Sequence, residues 1–393
     1  MVKSGLDILR GRGMSSLRGR RLGVVSHPAS VACDLTHLVD LLLERDLDVR
    51  VVMGPEHGAR GDAQDMEAVA GHADRRTNLP VISLYGDTPD SLRPSADVLA
   101  DLDVLLIDLQ DIGSRYYTFA ATMRACLEAC AGTNIQVMVL DRPNPLNGLT
   151  YEGPPLDDGF RSFVGAFVVP VRHGLTIGEL ALVAKSEGLD TDLTVVAMEG
   201  WRREMWFDET GLPWVLPSPN MPTLETAVVY PGSCLIEATN LSEGRGTTRP
   251  FELLGAPWLA PLTLSADLEG AGLPGVRFRP ITFVPTFHKY QGLACGGVQL
   301  HIVDRNAYQS FLTGLFVLQA ARRQAPERFA WRAEPYEFVA HRPALDLLTG
   351  SPHAREALET GADLRELAKQ WLPYLKEYEN NRRRFWLYPA SAR

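Results

Sequence analysis

Apolar residues in the first 150 positions fall in short continuous runs. Residues 22–26, 49–53, 81–85, 104–108 and 135–140 are each almost wholly hydrophobic. Between them, apolar residues recur at helical spacing: Leu38, Leu41 and Leu42 behind Asp34, a capping residue by type, and a run over 117–131. Strands that are apolar on both faces and alternate with helices predict a parallel sheet covered by helices on both sides. The pattern continues with a helix over 176–187, a strand over 193–197 and a stiff, proline-punctuated loop over 213–222 around Asn220. Beyond Trp258 the texture changes to a short helix over 265–271, strands over 276–284 and 297–303, and helices over 307–324 and 363–384. The expectation is an α/β protein: a parallel-sheet domain over 1–259, then a smaller α+β domain over 260–393 that completes a cleft.

The 393 residues, 45% hydrophobic and 22% charged, suit two globular domains with a full core. A net charge of −9 argues against a nucleic-acid partner. No stretch of about 18 apolar residues predicts a membrane span. The five cysteines contain no CxxC pair, and Cys126 and Cys130 sit on an apolar helix where small buried hydrophobes fit. Residues 1–21 are basic without the apolar stretch of a secretory signal, so a cytoplasmic protein is expected. No GxGxxG or Walker motif follows the first strand, no GxSxG elbow is present, and no His or Cys spacing supplies three metal ligands. No cofactor and no metal are therefore expected.

The polar residues that could do chemistry follow the strands: Ser26-His27, Glu56-His57, Gln110-Asp111 and Asp141-Arg142. Ligands of open α/β sheets bind outside the carboxyl ends of the strands, so these clusters are expected to converge on one edge. A buried carboxylate such as Glu56 can serve as general acid or base, with His57 and Arg60 as neighbours. In the segment 108–117, Arg115 offers a bidentate clamp for a carboxylate, and Tyr116 and Tyr117 offer stacking faces with hydroxyl handles. Asn144 is either a hydrogen-bond partner for a substrate or a turn residue. Densest of all is Glu-Ala-Thr-Asn-Leu-Ser-Glu-Gly-Arg-Gly-Thr-Thr-Arg over 237–249, a polar knot between apolar runs. Glu237, Asn240, Glu243, Arg245 and Thr247 there read as the wall of a polar pocket, with Lys289 reaching across the cleft.

Five blocks together resemble one family. They are Gly-Pro-Glu-His-Gly at 54–58 with Arg60-Gly61, the segment 108–117, Asp-Arg-Pro-Asn-Pro-Leu-Asn-Gly at 141–148, Ser-Pro-Asn-Met-Pro at 218–222, and 237–250 leading into Gly-Ala-Pro-Trp at 255–258. This pattern, spread over 23–388, is similar to the NamZ exo-β-N-acetylmuramidases (DUF1343, glycoside hydrolase family 171). The resemblance implies a Rossmann-like domain with a smaller C-terminal domain, and release of N-acetylmuramic acid from the non-reducing end of peptidoglycan glycans or muropeptides. Members are often exported; without an evident signal, this chain fits cytosolic breakdown of imported fragments. The substrate is then a small glycan and the chain a monomer or homodimer.

Glycoside hydrolysis usually takes two acidic groups. Glu56 is the expected proton donor. Glu243, Asp111 or Glu237 is the second group, unless the sugar's own acetamide attacks while Tyr116 or Asn220 orients it. Arg245 or Arg115 is expected on the lactyl carboxylate. Glu243 is either the second catalytic group or the tether of Arg245. The rival readings are a binder of muropeptides without turnover and a metal-dependent amidase or deacetylase acting on the same glycans.

Overall fold

The computed structural model describes residues 1–59, 72–74 and 76–391. Among the described residues, ten strands form two sheets. The larger is built from β1 (Leu22–Ser26), β2 (Val49–Gly54), β3 (His72–Ala73), β4 (Pro80–Ser83), β5 (Val104–Asp108), β6 (Gln136–Leu140) and β7 (Asp192–Val196). Its order is β3-β4-β2-β1-β5-β6-β7, and every pairing is parallel except β3 with β4. Successive side chains of a strand point to opposite faces, and here both faces are buried. Val104 and Leu106 join the cluster under the helices Gly5–Gly11 and Leu38–Leu43, whereas Leu105 and Ile107 join the one under Phe119–Cys130 and Ile177–Ser186. That is why the strands read as unbroken apolar runs. The strand order reverses direction between β1 and β5, which opens a crevice at their carboxyl ends.

The smaller sheet is antiparallel, in the order β8-β10-β9, from β8 (Leu253–Ala256), β9 (Val276–Phe283) and β10 (Cys295–Ile302). Helix Leu224–Ser233 crosses helix Ser310–Gln324 where two glycines meet: a Cβ on Gly232 would lie 1.9 Å from the Ser310 carbonyl oxygen, and one on Gly314 would lie 2.2 Å from that of Gly232. One apolar cluster runs from Leu105 and Val137 through Leu235 and Leu254 to Phe311, so the two sheets share a core.

Several local expectations change. Asp34 does not cap the second helix. Its carboxylate is drawn off by Arg10 at 2.7 Å, and His37 takes the cap position. The region 363–384 is two helices, Leu364–Gln370 and Leu372–Arg382, broken at Trp371 ahead of Pro373, whose missing N–H suits a helix start. Helices Leu224–Ser233, Ala344–Thr349 and His353–Thr360 were not legible from periodicity. Strand β8 lies ahead of residue 260 yet pairs with β10. The end of the chain returns to the first unit: Tyr388 donates its hydroxyl to Asp141, and Arg382 donates to the carbonyl oxygens of Gly148, Leu149 and His173. Among the described residues no helix is long and apolar enough to cross a membrane.

Candidate active site

The loop after β2 is shaped by what Gly54 lacks. A Cβ there would lie 2.2 Å from the backbone nitrogen of Ala59, so only glycine lets the chain double back at once. The return is a turn closed by Gly58 N–H on the Pro55 carbonyl at 2.9 Å, with His57 at φ 70°. Glu56 stands at its apex, 4% exposed, and accepts the Thr118 hydroxyl at 2.6 Å.

The loop after β5 feeds the opposite side of the crevice. His27 fixes its start: the Gln110 N–H donates to His27 Nε2 at 3.0 Å, and His27 Nδ1 lies 3.2 Å from the Pro217 carbonyl oxygen. Burial, with Arg142 next, pulls this imidazole down to about 3, so the ring is neutral with its proton on Nδ1. One histidine thereby ties the β5 loop to the proline-rich loop that carries Asn220.

A narrow pocket opens between these loops and segments that follow residue 226. Glu56, His57, Thr118, Tyr116 and Tyr117 line it on one side. Ser218 and Asn220 come from the proline-rich loop, Tyr230 from helix Leu224–Ser233, Glu237, Arg245 and Phe251 from the segment after it, and Tyr336 and Glu337 from the segment ahead of helix Ala344–Thr349. Arg245 lies over the Phe251 ring at 5.0 Å and donates to Glu237 Oε1 at 2.7 Å. Tyr336 donates to the other oxygen of Glu237, also at 2.7 Å.

Of the residues singled out from sequence, Glu56, His57, Tyr116, Tyr117, Asn220, Glu237 and Arg245 meet at this pocket. Tyr116 presents only part of its ring, because its hydroxyl is donated to the Pro231 carbonyl. Arg60 lies outside the described residues.

The others are engaged elsewhere. Glu243 is fully buried beneath the pocket, with Lys289 Nζ and His288 Nδ1 each 3.0 Å away and Arg245 Nε at 3.3 Å. Burial alone would raise its pKa, but Lys289, His288 and Arg245 together hold it well below the usual carboxylate range. Lys289 also donates to the carbonyl oxygens of Ile236 and Leu241, so it braces the 237–249 segment from below.

Asp111 accepts the Gly113 N–H at 2.7 Å in a tight turn and lies 3.5 Å from His173 Nε2. Gln110 donates to the carbonyl oxygens of Asp111 and Pro143. Arg115 is wholly buried and spends its guanidinium on the carbonyl oxygens of Pro154, Val169 and Leu348; burial pulls it down to about 10. It clamps backbone and does not line the pocket. Asn144 accepts the Leu146 N–H and donates to Leu175. Asn240 pairs with the backbone of Arg328 and Ala330. Thr247 closes its own turn on Gly244. Among the described residues, no group of three or more His, Cys, Asp or Glu comes together to hold a metal ion.

Thr118, Tyr230, Tyr336 and Glu337 were not picked out from sequence. Tyr336 and Glu337 lie in a segment without block or periodicity, and only the fold brings them here.

Two family models divide the chain: the N-terminal part of the exo-β-N-acetylmuramidase NamZ matches residues 22–225, and its C-terminal part matches 228–388. The chain belongs to the NamZ family. It is 43% identical over 389 residues to the peptidoglycan β-N-acetylmuramidase NamZ of Bacillus subtilis (strain 168), covering 98% of this chain and 91% of that one. Two solved structures of DUF1343 family proteins from Bacteroides fragilis NCTC 9343 superpose on it. One has a TM-score of 0.89 at 34% identity, covering 98% of this chain and 99% of that one; the other has 0.78 at 27% identity, covering both in full.

Proposed function

We propose that the chain is an exo-acting glycoside hydrolase that releases N-acetylmuramic acid from the non-reducing end of peptidoglycan fragments. The observation that carries this reading is the pairing, in one narrow pocket, of a buried carboxyl group at a strand end, Glu56, with a guanidinium from the other unit, Arg245. Family membership supplies the sugar. Muramic acid carries a lactyl carboxylate that N-acetylglucosamine lacks, and among the described residues Arg245 is the one guanidinium in the lining. Its planar fork suits a carboxylate.

Glu56 donates its proton to the glycosidic oxygen as the bond breaks. The Thr118 hydroxyl both donates and accepts, so it holds Glu56 in place in either protonation state. Asn220 and Tyr117 face the same space and contact the ring substituents. Glu237 and Glu243 hold Arg245 in position and take no part in proton transfer.

The deciding experiment is incubation with a defined muramyl-glucosamine disaccharide. Free N-acetylmuramic acid is the expected product, unaffected by EDTA. Affinity without turnover would make the chain a binder, and loss of activity with EDTA would make it metal-dependent.

Three further assignments belong to this reading. The division between the two units lies near residue 226 and not at 260, a reading supported by the family-model matches over 22–225 and 228–388 and by the pairing of β8 with β10. The chain acts in the cytoplasm on imported fragments; recovery of the native protein in the culture medium would overturn this. It works as a monomer or homodimer, which sedimentation measures directly.

A further inference from the structure

Residues 336–339 form a two-residue hairpin turn. Tyr336 N–H donates to the Val339 carbonyl at 3.0 Å and Val339 N–H to the Tyr336 carbonyl at 2.9 Å. Both central residues have positive φ, 45° at Glu337 and 66° at Phe338. Positive φ at both central positions is the mark of a type I′ turn, which favours Asn, Asp and Gly because bulky side chains are strained there. Glutamate and phenylalanine are poor choices for such a turn, so the surroundings hold the conformation.

The surroundings do so from both sides. The Phe338 ring packs edge-on against Tyr85 at 5.4 Å, and Phe163 stands 6.5 Å away. On the other flank, Tyr336 is anchored through its hydroxyl to Glu237. The turn delivers two residues to the pocket lining, Tyr336 and Glu337; the Glu337 carboxylate is 4% exposed and its Oε2 accepts the Tyr85 hydroxyl at 3.0 Å. Tyr85 follows β4, so even this carboxylate of the second unit is aimed from a strand end of the first.

Of the other acidic candidates, Glu237 lines the pocket but holds Arg245, and neither Glu243 nor Asp111 is in the lining. Arg245 and Tyr336 occupy the two oxygens of Glu237, Glu243 lies among cations beneath the pocket, and Asp111 closes a turn. We propose that Glu337 is the second catalytic carboxylate, acting from a different wall of the pocket than Glu56. This inference rests on the glycosidase reading above. The C1–O bond breaks, and its electron pair leaves with the glycosidic oxygen, which takes the proton of Glu56. The carboxylate of Glu337 supplies the electron pair that C1 then needs. It does so either from its own oxygen, giving a glycosyl ester that water later cleaves, or from a water whose proton it accepts. The anomer released by the wild type separates these two routes.

The test uses the full chain and para-nitrophenyl N-acetylmuramide. Glu337→Ala is expected to lower kcat by about 10³-fold, and Glu337→Gln by a similar factor, with melting temperatures near wild type. Added azide is expected to restore Glu337→Ala by about tenfold or more and to form N-acetylmuramyl azide, because a small anion fills the space left by a carboxylate at C1. A structural residue would show no such rescue. The inference is overturned if either variant keeps kcat within about fivefold of wild type, or if folded Glu337→Ala is inactive and azide yields no glycosyl azide. Wild-type protein that leaves the disaccharide intact would instead overturn the glycosidase reading, and this inference with it.

Discussion

Thr118 occupies the N-cap position of helix Phe119–Cys130, makes no cap hydrogen bond there, and gives its hydroxyl to Glu56 instead. A threonine cap is worth about 1 kcal/mol to a helix. Here that stabilisation is forgone, and the hydroxyl orients a carboxyl group 62 residues away in the chain. Glu56→Gln should lower kcat on the muramyl-glucosamine disaccharide by about 10²- to 10⁴-fold, and less on the para-nitrophenyl substrate, whose leaving group needs little protonation. Thr118→Val should cost about tenfold in kcat with KM nearly unchanged, and Thr118→Ser should be close to wild type. Equal losses on both substrates for Glu56→Gln would exclude proton donation.

The two arginines picked out for the lactyl group should separate cleanly. Arg245→Ala should erase the preference for N-acetylmuramic acid over N-acetylglucosamine in kcat/KM, a change of about 10²-fold for a lost charged hydrogen bond. Arg115→Ala should leave that preference intact and lower the melting temperature, since three buried carbonyl oxygens lose their donor. Side-by-side kinetics on the two sugars check both outcomes.

Glu243 tests the tether assignment. Glu243→Gln removes the anion from between Lys289, His288 and Arg245, and breaking such a buried pair costs about 3 kcal/mol. Urea unfolding should show that loss. The double variant Glu243→Gln, Lys289→Met should recover part of it, because one uncompensated cation is gone.

Asp141 gives a pH dependence. Burial raises its pKa from 3.8 to about 7, outweighing the Tyr388, Gly178 and Thr176 donors, with Glu179 nearby adding to the rise. A folded pKa above the unfolded one means that the native state holds a proton the unfolded chain has released. The stability from this group is therefore complete below pH 4 and is lost as pH climbs towards 7, by about 1.4 kcal/mol per pH unit. Asp141→Asn should flatten that fall. Urea midpoints at pH 5 and pH 7.5 would show it, and equal slopes in the two proteins would refute it.

The alternation of apolar runs and helices was legible because it is local. A strand covered on both faces must be hydrophobic throughout, and β1, β2, β5 and β6 fall where the runs are. Strand-end polarity was legible too, but its meaning was not. Asp108 and Arg142 look as chemically capable as Glu56, yet they form a buried ion pair at 2.5 Å that locks two loops together. Gln110 and Asn144 likewise hold turns. In these loops most polar residues satisfy buried backbone, and only packing decides which remain for a ligand.

Residue type and order determined the parallel sheet and the family, and put Glu56 and Arg245 among a larger set of candidates. Tertiary structure alone decided the rest. Glu237 and Glu243 sit six positions apart in one polar segment, but one borders the pocket and the other lies among cations below it. Glu337 carried no signal in the chain, since its aim depends on Tyr85, 252 residues away. A carboxylate's role is set by its partners and its exposure, and those come from segments that only the folded chain brings together.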